Sequence, residues 1–227
     1  MSNERFLLVV SVDAEAAALR DGAGDDARDV EVLVAGVGPL AAAAATAARL
    51  AREPRVEVAV SCGVGGGWAG RADLGDVVVA EQVVAADVGA QDPQSPHADR
   101  TALLSDLGLG PSSWRCPPER VEAVVRALDA DGRVAVHRGT VLTVATATGT
   151  QARADALAAR HAPHAEAMEG AGVAVAAAAA GVDVLEVRAV SNAVGPRDRG
   201  AWHLDVALDA LRSAAAPLVA ALREDRA

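Results

Sequence analysis

The sequence predicts an α/β fold on a largely parallel sheet, and two observations predict it. Short runs rich in Val and Leu alternate with Ala-rich stretches of helical length. The 227 residues are 52% hydrophobic but only 2% aromatic, so the core must be built mostly from Ala, Val and Leu. A chain this long buries roughly 70–75% of its unfolded surface, which gives a sizeable core without disulfides or metals. One domain spanning residues 1–227 is the expectation.

In chain order, strands are predicted at Arg5–Val12, Val30–Ala35, Val56–Cys62, Asp76–Ala86, Thr140–Ala145 and Asp183–Val190, each a Val- or Leu-rich run of strand length. Helices are predicted at Ala14–Leu19, Pro39–Arg52, Pro118–Leu128, Gln151–Arg160, Glu169–Ala180 and Trp202–Leu222. The helix at Glu169–Ala180 is apolar on nearly every face, which implies burial on both sides. Residues Asp92–Pro118 hold many of the Pro and Ser residues without periodicity and read as a long connection, a lid or an interface loop.

Composition excludes several functions. The net charge is −10, from 21 basic and 31 acidic residues, so no basic face offers to neutralise nucleic-acid phosphates or anionic lipid. Ala171–Val182, the longest apolar stretch, is too short to cross about 30 Å of hydrocarbon. With no Lys- or Arg-led hydrophobic leader before the first strand, the cytoplasm is the expected location. All 21 basic residues are Arg, so a Schiff-base lysine, lysine-bound pyridoxal phosphate and a P-loop lysine are excluded. Cys62 and Cys116 fit no C-x-x-C pattern and read as reduced thiols, at least one in the core. The five His residues lack ligand spacing, His161 and His164 reading as exposed, and neither a metal nor a cofactor is expected.

Four places carry chemistry. Gly63–Gly70 contains G-x-G-x-x-G from Gly65 through Gly67 to Gly70, but another strand follows almost at once where a dinucleotide fold needs a long helix. Such glycines serve either as strand-end turns or for close backbone approach to a small ligand, with "AGVGP" at Ala35–Pro39 as a second tight turn. Glu169 opens the buried helix beside Met168 and either needs a partner or ligand hydroxyl or simply favours the helix dipole. Ser191 and Asn192 follow the apolar strand at its carboxyl end, where open α/β sheets bind ligands, and Arg188 within that strand needs an anionic or carbonyl partner if buried. Asp13 and Glu15 lie just past the first strand, Asp13 also being a helix-capping candidate.

The segments "VLVAGVGPLAAAAATAARL", "SCGVGGGWAGRADLGDVVVAEQVVAADVGAQ", "LTVATATGT", "EAMEGAGVAVA" and "EVRAVSNAVGPRDRGAWHLDVAL" occur in this order over nearly the whole chain. In them the sequence resembles the futalosine hydrolase family of the purine nucleoside phosphorylase and hydrolase superfamily. "MEGAGVA" followed by "VRAVSN" marks the superfamily, and "VATATGT" with "SNAVGPRDR…W" marks the futalosine branch. The resemblance implies a three-layer α/β/α fold with a mixed, mostly parallel twisted sheet, commonly in a homo-oligomer. It implies hydrolysis of futalosine to hypoxanthine and dehypoxanthine futalosine in menaquinone biosynthesis, with water as nucleophile.

Carried over by position, Glu169 holds the ribose hydroxyls, Met168 packs on the sugar and Asn192 contacts the purine. Glu15, or Asp13 one register away, positions the attacking water. Val64, Gly65, Thr146, Ala147 and Arg188 belong to the implied binding set. The chemistry agrees, since an oxocarbenium-like sugar calls for a carboxylate and a held water. An Asn suits a 6-oxopurine where an Asp suits a 6-amino one. Val64 stands where adenine-releasing relatives carry Ser, and no aromatic residue near Thr146 and Ala147 is available to stack on a base. Arg197 and Arg199, with Trp202, are candidates to meet the benzoate of futalosine, the alternative being an exposed loop. Competing functions are an adenine-releasing nucleosidase for methylthioadenosine or aminodeoxyfutalosine, a nucleoside phosphorylase, and a non-catalytic nucleoside- or NAD-binding module.

Overall fold

The computed structural model describes residues 5–24, 29–91 and 101–224. The chain runs β1 (Phe6–Val10), α1 (Asp13–Ala23), β2 (Val30–Val34), α2 (Pro39–Leu50), β3 (Val58–Gly67), β4 (Val77–Ala85), β5 (Gly89–Gln91) and β6 (Thr101–Leu103). It continues through β7 (Ser113–Arg115), α3 (Pro118–Asp131), β8 (Val136–Thr143), α4 (Gln151–His161), β9 (Ala165–Ala167), α5 (Gly170–Ala180), β10 (Asp183–Ala193) and α6 (Leu204–Glu224).

The sheet is mixed and mostly parallel, as expected. β1–β2, β1–β3, β3–β10, β4–β8 and β8–β9 pair in parallel, whereas β4–β10, β3–β9 and β4–β7 are antiparallel. The pairings β3–β10–β4–β8–β9–β3 close a circuit, so part of the sheet curls into a small barrel around the glycine-rich end of β3. Alternation along β1 sets the layers. Phe6, Leu8 and Val10 join a core with residues of α1, α3 and α6. Leu7 and Val9 face the opposite way, onto Ala42 and Leu50 of α2 and Val173, Ala174 and Ala177 of α5.

Four expectations need correction. β3 does not stop at Cys62 but runs on through Gly63–Gly67, because β10 stays hydrogen-bonded alongside to Ala193. These glycines are neither strand-end turns nor a dinucleotide loop. Side chains there have no room: a Cβ at Gly63 would overlap the Glu15 carboxylate and lie 2.9 Å from Arg188 Nη1, and one at Gly65 would lie 2.7 Å from the Glu166 carbonyl. The connection Asp92–Pro118 is not unstructured throughout, since β6 pairs with β5 and β7 with β4; residues 92–100 lie outside the described residues. In α5, Gly170–Ala174, Ala176 and Ala177 are buried but Val175, Ala178 and Ala179 are exposed, because residues three and four apart share one helix face and that face is left uncovered.

Cys62 and Cys116 are both free and buried. His161 and His164 are half-buried, not exposed, since His164 packs over Gly139, where a Cβ would overlap its ring. No helix among the described residues is long and apolar enough to cross a membrane.

Candidate active site

A cavity of about 700 Å³ opens at the carboxyl ends of β1, β3 and β10. Its lining includes Glu15, Val64, Gly65, Ala147, Met168, Glu169, Asn192 and Arg197. Parallel pairing in register brings these ends together, with Asn192 opposite Gly66 after a shift in register between Val190 and Asn192.

Glu15 sits in the first turn of α1 and is 2% exposed. Its Oε2 accepts the backbone N–H of Ser11 at 2.8 Å, the Ser11 hydroxyl at 2.6 Å and the Val12 N–H at 3.2 Å. Its Oε1 accepts the Val64 N–H at 2.9 Å. This binding fixes the carboxylate and leaves Oε1 a lone pair for a ligand. Asp13, two residues earlier in the same turn, is exposed and does not line the cavity. Val12, not Asp13, occupies the cap position of α1.

Glu169 occupies the N-cap position of α5, but its side chain makes no capping hydrogen bond. Its Oε1 accepts the Gly38 N–H at 3.0 Å, and its Oε2 pairs with Arg188 Nη1 at 3.3 Å. The "AGVGP" turn therefore supplies a donor to a site acid, with Gly38 at φ +94°. Met168, partly exposed, lines the cavity beside it. Asn192 Oδ1 accepts the Ser191 hydroxyl at 2.9 Å while Nδ2 donates to the Ala193 carbonyl at 3.0 Å. One amide N–H and one carbonyl lone pair remain for a base edge.

Two residues of the expected set stand elsewhere. Arg188 does not line the cavity; it is fully buried beneath it and pairs with Glu186 at 2.9 Å, Glu169 at 3.3 Å and the Ser61 hydroxyl at 2.6 Å. It positions Glu169 and does not reach a ligand. Thr146 is exposed and outside the lining, because Ala147 and Thr148 turn inward in its place. Arg197 lies at the rim, exposed, with its guanidinium carbon 5.7 Å from the centre of the Trp202 ring. Its backbone N–H donates to the Gly149 carbonyl at 3.1 Å and ties two rim loops together. The Arg199 side chain lies outside the described residues.

The lining also holds Trp68 and Glu166, which sequence reasoning missed. Trp68 is 8% exposed and supplies an aromatic wall just past the end of β3, away from Thr146 and Ala147. Glu166 lies on the three-residue strand β9, whose "AEA" carries no periodic signal. Its Oε1 accepts the Thr148 N–H at 2.8 Å, its Oε2 accepts the Thr148 hydroxyl, and burial pushes its carboxyl up from the ordinary range against those two bonds. No group of three or more His, Cys, Asp or Glu among the described residues is arranged to hold a metal ion.

Residues 24–224 match the phosphorylase superfamily. A futalosine hydrolase from Streptomyces coelicolor is 49% identical over 197 residues, covering 85% of this chain and 79% of the relative. The methylthioadenosine/S-adenosylhomocysteine nucleosidase of Neisseria meningitidis, solved with methylthio-immucillin-A, superposes with a TM-score of 0.79 at 19% identity, covering 95% of this chain and 98% of that one. The native futalosine hydrolase of Helicobacter pylori also gives 0.79, at 14% identity with 98% of each chain covered. At these identities the two structures establish the shared fold.

Proposed function

The chain belongs to the phosphorylase superfamily and within it to the futalosine hydrolases, and from that premise we propose that it cleaves the N-glycosidic bond of futalosine with water. The products are hypoxanthine and dehypoxanthine futalosine, in menaquinone biosynthesis. The observation that carries the proposal is the convergence of Glu15, Met168, Glu169 and Asn192 on one cavity in a chain this similar to a futalosine hydrolase.

In this reading Glu169, tethered through Oε1 to Gly38 and through Oε2 to Arg188, accepts hydrogen bonds from the ribose hydroxyls, and Met168 packs against the sugar. The free N–H of Asn192 donates to the six-position oxygen of the purine, and its carbonyl accepts N7–H as the departing base takes up a proton there from solvent. As the bond from the sugar carbon to the purine nitrogen breaks, its electron pair leaves with the base and positive charge develops on the ribose ring. A water held by Glu15 Oε1 attacks that carbon and passes a proton to the carboxylate. Arg197, beside Trp202 at the rim, pairs with the benzoate.

The same reading includes cytoplasmic location and a homo-oligomer of two or more copies. Val12, Val37 and Leu40 are exposed apolar residues, the first two lining the cavity mouth, and are suited to being covered by a second copy.

The test is chromatographic. Purified protein in phosphate-free buffer is incubated with futalosine, with inosine, methylthioadenosine and aminodeoxyfutalosine in parallel. Release of hypoxanthine from futalosine is the expected result, and Glu169→Gln should lower kcat/KM by roughly 10²-fold or more. Adenine release from either amino substrate in preference to futalosine, or release only with added phosphate, overturns the proposal.

A further inference from the structure

We propose that Glu186 is a positioning residue for the cleavage: with Ser61 it brackets Arg188 from below, so that Glu169 keeps its negative charge for the cationic sugar of the transition state. The proposal rests on the hydrolysis reading above and gives a role to a buried acid that does not line the cavity.

The placement comes from β10. Glu186 and Arg188 are two residues apart and share one face of the strand, with Ser61 and Gly63 of β3 as their neighbours in register. Glu186 Oε1 accepts the Arg188 Nε–H at 2.9 Å and the Ser61 hydroxyl accepts from Nη2 at 2.6 Å, which pins the planar guanidinium at two corners. Contact with Glu169 is left to the third corner, Nη1, which stands 3.3 Å from its Oε2. Nη1 also lies against the bare face of Gly63, where a Cβ would meet Glu15 Oε1 as well. An Arg free to turn toward a carboxylate takes it with two parallel N–H bonds. The bracket of Glu186 and Ser61 prevents that fork on Glu169.

Packing alone gives no reason for an acid here. Glu186 is fully buried, its Oε2 has no hydrogen-bond partner, and burial raises its carboxyl against the pull of Arg188. Such a group costs stability where an apolar side chain would not. The chain nevertheless keeps room for it, since a Cβ at Gly170, the first residue of α5, would lie 2.1 Å from Glu186 Oε2. The reason lies in the charges. Glu186 cancels Arg188, so Glu15 and Glu169 both stay negative beside the sugar, where positive charge develops as the base leaves. Without the charge of Glu186, Arg188 would cancel one of those two acids instead.

The test is Glu186→Gln, which keeps an oxygen for Arg188 Nε and removes only the charge. The first readout is steady-state kinetics on futalosine, whose bound sugar is neutral until the transition state. There kcat is expected to fall roughly tenfold or more while KM stays within about threefold. The second readout needs no turnover and compares two Kd values by calorimetry at pH 7.5. One ligand is 9-deazahypoxanthine joined through a methylene to a dihydroxypyrrolidine, whose ring nitrogen is cationic; the other carries a neutral cyclopentane ring in its place. Wild type is expected to favour the cation, and Glu186→Gln to shrink that preference roughly tenfold. A merely structural role would lower stability and leave the ratio alone. In folded Glu186→Gln protein, a ratio or a kcat unchanged within about threefold overturns the proposal, and the hydrolysis reading stands if wild type still releases hypoxanthine from futalosine. If wild type releases none but the ratio falls as expected, the hydrolysis reading fails and the charge arrangement assigned to Glu186 stands. Should Glu186→Gln not fold, Ser61→Ala frees Nη2 to turn onto Glu169, and the preference for the cation should fall roughly threefold or more; no change overturns the proposal.

Discussion

Replacing Arg188 with Met tests the charge arrangement beneath the cavity. Arg188 is fully buried and faces Glu186 at 2.9 Å and Glu169 at 3.3 Å, with its third nitrogen on Ser61 Oγ at 2.6 Å. The substitution leaves Glu186 with no cation, and its Oε2 has no partner even in the intact protein. Glu169 keeps its bond from Gly38. Stranding one member of a buried pair costs about 3–5 kcal/mol, and the Met side chain fills part of the vacated volume, so a loss of about 3–4 kcal/mol is expected at pH 7.5. Urea unfolding followed by circular dichroism measures it. The sign with pH follows from Glu186, whose carboxyl burial already raises above its ordinary 4.5. Without Arg188 the folded value rises further, so the variant's native state binds more protons than its unfolded state across that window. Its stability deficit therefore grows as pH climbs from about 4.5 through the raised folded value, and shrinks again on acidification. Adding Glu186→Gln should recover roughly 1–3 kcal/mol of the loss. A loss below about 1 kcal/mol, or equal losses at pH 5 and 7.5, refutes this account of the buried charges.

Other outcomes follow from the same packing. Gly63→Ala places a Cβ into the Glu15 carboxylate at φ +148°, so it should lower kcat at least tenfold with a smaller change in KM, read by steady-state kinetics. Burial pushes both thiols up to about 12, Cys62 at the protein's centre and Cys116 under β4 and α3. Neither should react with iodoacetamide in folded protein at pH 8, and both should in urea, as mass spectrometry will count. Burial, with Arg160 adding to it, holds the His161 imidazole down at about 4. Its contribution to stability is present above its ordinary 6.5 and is lost as pH falls toward 4, so His161→Gln should flatten that part of the pH–stability profile.

What was legible in the sequence is what a local pattern can encode. The Val- and Leu-rich strands are visible because four or more apolar residues in a row have nowhere to go but a buried sheet. Glu169 and Asn192 are legible through their neighbours, an apolar helix start and the carboxyl end of an apolar strand. Gly63–Gly67 is different: with Val64 as its one side chain it shows no periodicity, and its pairing with β10 and β9, about a hundred residues away or more, makes it strand. β9 is three residues long and is specified by β3 and β8 on either side, which is why Glu166 stayed hidden. The place of Arg188 is not legible, since sequence says that a buried cation needs an anion and not whether that anion belongs to the protein or to a ligand.

The strand circuit around β3 also sets when this site can exist. At the usual pace of roughly 5–20 residues per second, a ribosome needs about 5–20 s to make the ~100 residues between Gly67 and β9. Until then the glycine half of β3 has neither β9 nor β10 beside it, and its open edge lies within a Val-rich nascent chain. The cavity is thus among the last features to form. Slowing translation upstream of Ala165 would lengthen the interval in which that edge can pair with a second nascent chain.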